Sequence, residues 1–125
     1  MSYLVDTDIL IDVSKGNQGA VEFLDELENS KISVISAMEL IVGARNKEEI
    51  KIIDEFLSNY ERFLINEEIT IRALELIKLH SLSDGLSIPD AFIASTAINK
   101  NLTLMTKNIK HFKVIKGIKL KSPTY

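Results

Sequence analysis

Short β-branched runs alternate along this chain with longer segments of helical periodicity, and that alternation restricts the fold more than any other feature. Tyr3-Leu4-Val5-Asp6, Ile32–Ile35, Phe63-Leu64-Ile65 and Leu102–Thr106 read as strands. Val114–Leu120 reads as a last strand or an edge hairpin around Gly117. Between them lie a first helix over Ile9–Val13 capped by Thr7 and Asp8 and ended by Gly16, then helices over Asn17–Asn29, Ser36–Gly43, Lys47–Asn59, Glu67–Leu82 and Ile88–Asn99. Strand–helix–strand units with short connections predict a parallel sheet with right-handed crossovers. The predicted fold class is α/β, a three-layer sandwich whose central, mainly parallel sheet is flanked by helices, in a single domain over residues 1–125.

Within that frame, carboxylates recur where a strand hands over to a helix. Asp6 closes the first strand, Glu39 follows the second, and Asp90 opens the helix Ile88-Pro89-Asp90-Ala91-Phe92. Strand-to-helix turns of a parallel sheet emerge along one edge, where ligands bind. Oxygen donors with no cysteine and only two histidines in the chain select hard ions, Mg²⁺ or Mn²⁺. Such ions act on phosphates, which points to nuclease chemistry. Thr106 and Asn108, just beyond the fourth strand, could orient a metal-bound water.

Each of these residues has a structural alternative, with one exception. Ser36-x-x-Glu39 matches a capping box. Asp90 suits the first turn of a helix beside Pro89, and Asp8 suits an N-cap. Asn108 suits an N-cap or a turn. His80 suits a helix end, and His111 suits a surface position beside an anchoring Phe112, or else a phosphate contact. Asp6 has no such alternative: it ends an apolar strand, where desolvation opposes a charge unless a cation compensates.

Charge is distributed unevenly. Residues 1–90 carry all 18 acids, whereas residues 91–125 carry seven lysines and no acid. Lys107, Lys110 and Lys113, with His111, are candidates to hold a nucleic-acid backbone. The competing explanation is that the late lysines solvate an edge strand and discourage pairing. The absence of cysteine excludes disulfides, thiolate zinc sites and cysteine nucleophiles. With no apolar run of membrane-spanning length and no signal-like opening, the expected location is the cytoplasm, away from membranes.

Four blocks in order carry a family resemblance: Leu4-Val5-Asp6-Thr7-Asp8, Ser36-x-x-Glu39-Leu40-x-x-Gly43, Pro89-Asp90-Ala91-Phe92-Ile93-Ala94 and Leu104-x-Thr106-x-Asn108-x-x-x-Phe112. Together they resemble the PIN domain, and within it the small VapC-type toxins of type II toxin–antitoxin pairs. The resemblance implies a Mg²⁺- or Mn²⁺-dependent endoribonuclease acting on RNA. It matches Asp6, Glu39 and Asp90 to the acidic cluster, with Asp6 and Asp90 holding metal directly and Glu39 directly or through water. Thr7 and Thr106 match supporting hydroxyl positions. It also implies a small antitoxin partner seated in an apolar groove, for which helices 17–29 and 47–59 offer faces, and a homodimer. The chain departs from the pattern at the fourth acidic position, where it has Asn108 and no acid near His111, with Asp8 a partial substitute. Two other readings stay open. One is a PIN-like module that binds RNA or protein without cutting. The other is a phosphatase, because Asp6-Thr7-Asp8 also resembles the opening of haloacid-dehalogenase-type enzymes.

Overall fold

Five strands and seven helices make up the computed structural model, which describes residues 1–125. In chain order they are β1 (Tyr3–Val5), α1 (Thr7–Ser14), α2 (Gln18–Glu26), β2 (Ser30–Ser33), α3 (Val34–Val42) and α4 (Lys47–Leu57). The second half holds β3 (Glu61–Phe63), α5 (Glu67–Asp84), α6 (Ile88–Asn99), β4 (Thr103–Met105), α7 (Ile109–Phe112) and β5 (Lys119–Lys121). The strand order is β3-β2-β1-β4-β5, and every neighbouring pair is parallel. This is the predicted α/β sandwich, with β1 in its centre.

Alternation along the strands builds the layers. Leu4 and Leu104 point to one face, where α5 and α6 cover them with Ala73, Leu76, Ala91 and Ala94. Val5 and Met105 point to the other, against Ile9 and Leu10 of α1, Leu24 of α2, and Ala37 and Leu40 of α3. The small residues Ala91, Ala94 and Ala97, all fully buried, let α6 lie close to the sheet. The buried Ser95 hydroxyl is satisfied by donating to the Ile69 carbonyl of α5 at 2.7 Å. No helix is long and apolar enough to cross a membrane.

Several boundaries differ from the sequence reading. β2 ends at Ser33, whose side chain accepts from the Ile35 amide at 3.0 Å and caps α3, so Val34 and Ile35 begin the helix despite their β-branched side chains. β3 starts two residues earlier than predicted. α5 continues to Asp84 and stops at Gly85, whose φ of +66° is the left-handed conformation a helix end needs. The last strand expected within Val114–Leu120 forms, but short and late at Lys119–Lys121, and no hairpin forms around Gly117. Phe112, fully buried, anchors the single turn α7, and Gly117 at φ +86° turns the chain toward β5, which pairs parallel to β4. Lys119 and Lys121 are exposed on this edge strand, as expected of residues that discourage further pairing.

Candidate active site

Asp6 follows β1 directly and is the N-cap of α1, so the capping role predicted for Thr7 and Asp8 belongs to it instead. Asp6 therefore does have a local structural role. Its Oδ1 accepts from the Thr7 amide at 2.8 Å, while Oδ2 accepts from the Thr106 hydroxyl at 2.7 Å. Thr106 lies just past β4, the neighbour of β1, and its oxygen accepts in turn from the Asn108 amide at 2.9 Å. Asp8, in the first turn of α1, accepts at Oδ2 from the Lys107 amide at 3.1 Å. Its Oδ1 is buried and has no partner at all.

Asp6 is only 5% exposed. Burial, and then the charges of Asp8 and Asp90, push its carboxyl up to about 7, although the Thr106 and Thr7 hydrogen bonds pull the other way. Asp8 is raised as well, again chiefly by burial. The desolvation expected from the sequence at the end of β1 is therefore the dominant influence on Asp6.

On the β2 side, Ser36 is inside α3 rather than at its cap, so the capping-box alternative for Ser36 and Glu39 fails. The fully buried Ser36 Oγ lies 2.8 Å from Thr7 Oγ1, and Thr7 Oγ1 donates to Glu39 Oε1 at 2.8 Å. A hydroxyl has one proton, so with Thr7 donating to Glu39 it is Ser36 that donates to Thr7. This relay tethers an otherwise exposed glutamate to Thr7, the residue that follows Asp6.

Asp90 stands in the first turn of α6, which Ser87 caps and Pro89 opens. Its Oδ2 is 2.9 Å from His111 Nε2, and its charge contributes to raising Asp6. His111 is thus drawn to the site and also packs edge-on against Phe112, with ring centres 5.5 Å apart. Asn108 occupies the N-cap position of α7 but caps no amide with its side chain. Together with Lys110, His111 and Asp84 it borders an open cavity of about 320 Å³.

The lysines behave differently from one another. The Lys107 ammonium is 2.5 Å from Asp12 Oδ2, an oxygen that also accepts from the Tyr125 hydroxyl at 2.7 Å. These two donors hold the Asp12 carboxyl below the usual range. Lys110 and Lys113 are exposed around α7. His80 stays away from the acids of β1, pairing with Asp84 at 2.8 Å. Sequence reasoning missed Asp12 and Tyr125. Asp8 and Asp12 do share a helix face by their spacing of four, but nothing in the sequence signals Tyr125.

The donor set suits a hard cation. Asp6 and Asp8 are crowded, desolvated carboxyls, and the orphaned Asp8 Oδ1 lacks the partner that a buried oxygen requires. No three of the acidic and histidine side chains converge as a ready-made cage. Mg²⁺ does not need one, since it commonly keeps waters and uses one or two carboxylates.

These features define an α/β domain with a desolvated, oxygen-rich acidic site at the carboxyl ends of β1, β2 and β4. Residues 3–117 match the PIN domain, and the chain belongs to that family. It is 38% identical over 120 residues to Ribonuclease VapC1 of Methanocaldococcus jannaschii, covering 94% of this chain and 84% of that one. A solved toxin–antitoxin complex from Klebsiella pneumoniae contains a chain 34% identical with a TM-score of 0.79, over 94% of this chain and 95% of that one. In the VapBC2 structure from Rickettsia felis bound to a promoter DNA fragment, the similar chain is 31% identical with a TM-score of 0.81, over 98% of each.

Proposed function

We propose that this protein is a Mg²⁺- or Mn²⁺-dependent endoribonuclease, the cytoplasmic toxin of a toxin–antitoxin pair. The observation that carries the reading is the buried Asp6 beside the half-buried Asp8 at the end of the central strand, with the buried Asp8 Oδ1 left without a partner. The ribonuclease and toxin–antitoxin names of its relatives give that acidic pair its substrate class. Asp6, Asp8 and Asp90 would hold the ion, with Glu39 reaching it directly or through water. Bound there, the ion polarises a phosphodiester and lowers the pKa of a water.

The chain's own residues supply position. Thr106 fixes one Asp6 oxygen and the Thr7 amide the other, so the carboxylate is preorganised. Thr7 and Ser36 aim Glu39. Lys110 and Lys113 meet the RNA backbone, with Lys107 joining if it leaves Asp12.

The antitoxin surface proposed here shifts from the sequence reading. Ala20 and Leu24 of α2 are buried in the core, whereas a groove of about 730 Å³ runs from Glu39 between α1, α3 and α4, past Ile11, Leu40, Ile52 and Ile53. An antitoxin segment with apolar side chains fits this groove and would end beside the acids.

Cleavage of several RNAs by antitoxin-free protein with Mg²⁺, Mn²⁺ or EDTA tests the reading, alongside Asp6→Asn and Asp90→Asn. Metal-dependent cutting lost in both variants is expected. Equal cutting by wild type and variants would refute it. One observation favours the rival RNA- or protein-binding module: the acids do not converge as a cage and Asn108 adds no charge. Verified RNA binding without cutting would select that rival.

A further inference from the structure

We propose that His111 is the positioning residue for Asp90, fixing the orientation in which that carboxylate meets the metal. The inference rests on the metal-site reading above and adds a residue to it.

The Asp90 carboxylate has one polar side-chain partner, the His111 ring, at 2.9 Å. Asp90 sits on the first turn of α6 and is about a quarter exposed, so without a neighbour its side chain is free to change rotamer. The ring opposite is not free. Phe112 beside it is fully buried, and the two rings meet at 79°. The His111 amide is bonded to the Asn108 carbonyl at 3.1 Å. Asp84 borders the same cavity as His111. Asp84 is itself fixed by His80 at 2.8 Å and Ser83 at 2.9 Å. His111 is thus held edge-on against a buried ring and tied through its amide to Asn108, which makes it a rigid reference for Asp90.

The same segment organises both acids. Thr106 grips Asp6, and five residues later His111 contacts Asp90. Residues 106–112 therefore set the spacing of two carboxylates that come from different elements. Groups that orient a metal-binding carboxylate typically change metal affinity about 10–100-fold when removed.

The test is Mn²⁺ titration of the full-length, metal-free protein by calorimetry, without RNA. His111→Phe keeps a ring against Phe112 but removes both nitrogens, and His111→Gln keeps an N–H near the position of Nε2. Urea midpoints check that each variant folds. His111→Phe should weaken Mn²⁺ binding about tenfold, and His111→Gln should retain most of it. His111→Phe binding Mn²⁺ like wild type, or His111→Gln failing as badly as Phe, overturns the inference. Wild type that binds no Mn²⁺ overturns it together with the metal reading. Intact Mn²⁺ binding with the expected His111 effect, but no RNA cleavage, supports the inference and refutes only the nuclease.

Discussion

Replacing Asp6 by Asn should stabilise the metal-free protein at neutral and alkaline pH while destroying its proposed activity. The Asp6 carboxyl sits at about 7 in the fold, against 3.8 for an unperturbed Asp. Between those values the folded chain binds a proton that the unfolded chain does not, so stability declines as pH rises from about 4 to about 7 and is level above. At about 1.36 kcal/mol per pH unit, the full penalty above pH 7 is about 4 kcal/mol. Asn carries no charge to desolvate. Its carbonyl can still accept from the Thr7 amide, and its NH₂ can donate to Thr106 Oγ1, whose proton then turns toward Asp8 Oδ2, now 3.4 Å away. Allowing for a poorer set of hydrogen bonds, the gain at pH 8 should be about 2–4 kcal/mol, shrinking to near zero at pH 4. Urea unfolding of both proteins in EDTA at pH 4.5, 6 and 8 reads this difference, which includes relief of the repulsion Asp6 shares with Asp8 and Asp90, while groups remote from Asp6 cancel. A stability difference that does not vary with pH, or an Asn variant less stable at pH 8, would refute the electrostatic account of Asp6.

Three further outcomes are expected. Thr106→Val removes the donor to Asp6 and the acceptor for the Asn108 amide, and should cost about 1–3 kcal/mol in urea unfolding together with most cleavage. Phe112→Ala empties a fully buried ring site beneath α7 and should cost about 3–5 kcal/mol, read by the same assay. Glu39→Gln still accepts from Thr7, so its unfolding midpoint should move by no more than about 0.5 kcal/mol while cleavage falls.

How far the sequence could be read depended on the length of each signal. Long amphipathic stretches such as 47–57 and 67–84 announced their helices, and Asp6 announced its desolvation because an acid at the end of an apolar strand has few other readings. Three- and four-residue strands are too short for alternation to fix their ends. Hence β2 was placed two residues late: Ser33 and Ser36 both suit a cap, and only the packed helix shows that Ser33 serves. α7 is a single turn held by Phe112, below the length at which periodicity can register. The Ser36–Thr7–Glu39 relay and the His111–Asp90 contact join residues from separate elements, a relation that no local pattern encodes.

The hydrogen bond from Thr106 to Asp6 spans 100 residues of sequence, and this has a consequence during synthesis. Chains emerge N-terminus first. When α5 is finished the ribosome has made 84 of the 125 residues, yet neither Asp90 nor Thr106 exists. Until β4 arrives, β1 has one open side and Asp6 lacks its hydroxyl donor. For a toxin this is a safeguard written into topology: the acidic site is incomplete until β4 and Thr106 have been translated. It is equally a vulnerability, because a stop codon or frameshift anywhere upstream of residue 106 disarms the protein, giving a cell under its attack a broad target for escape.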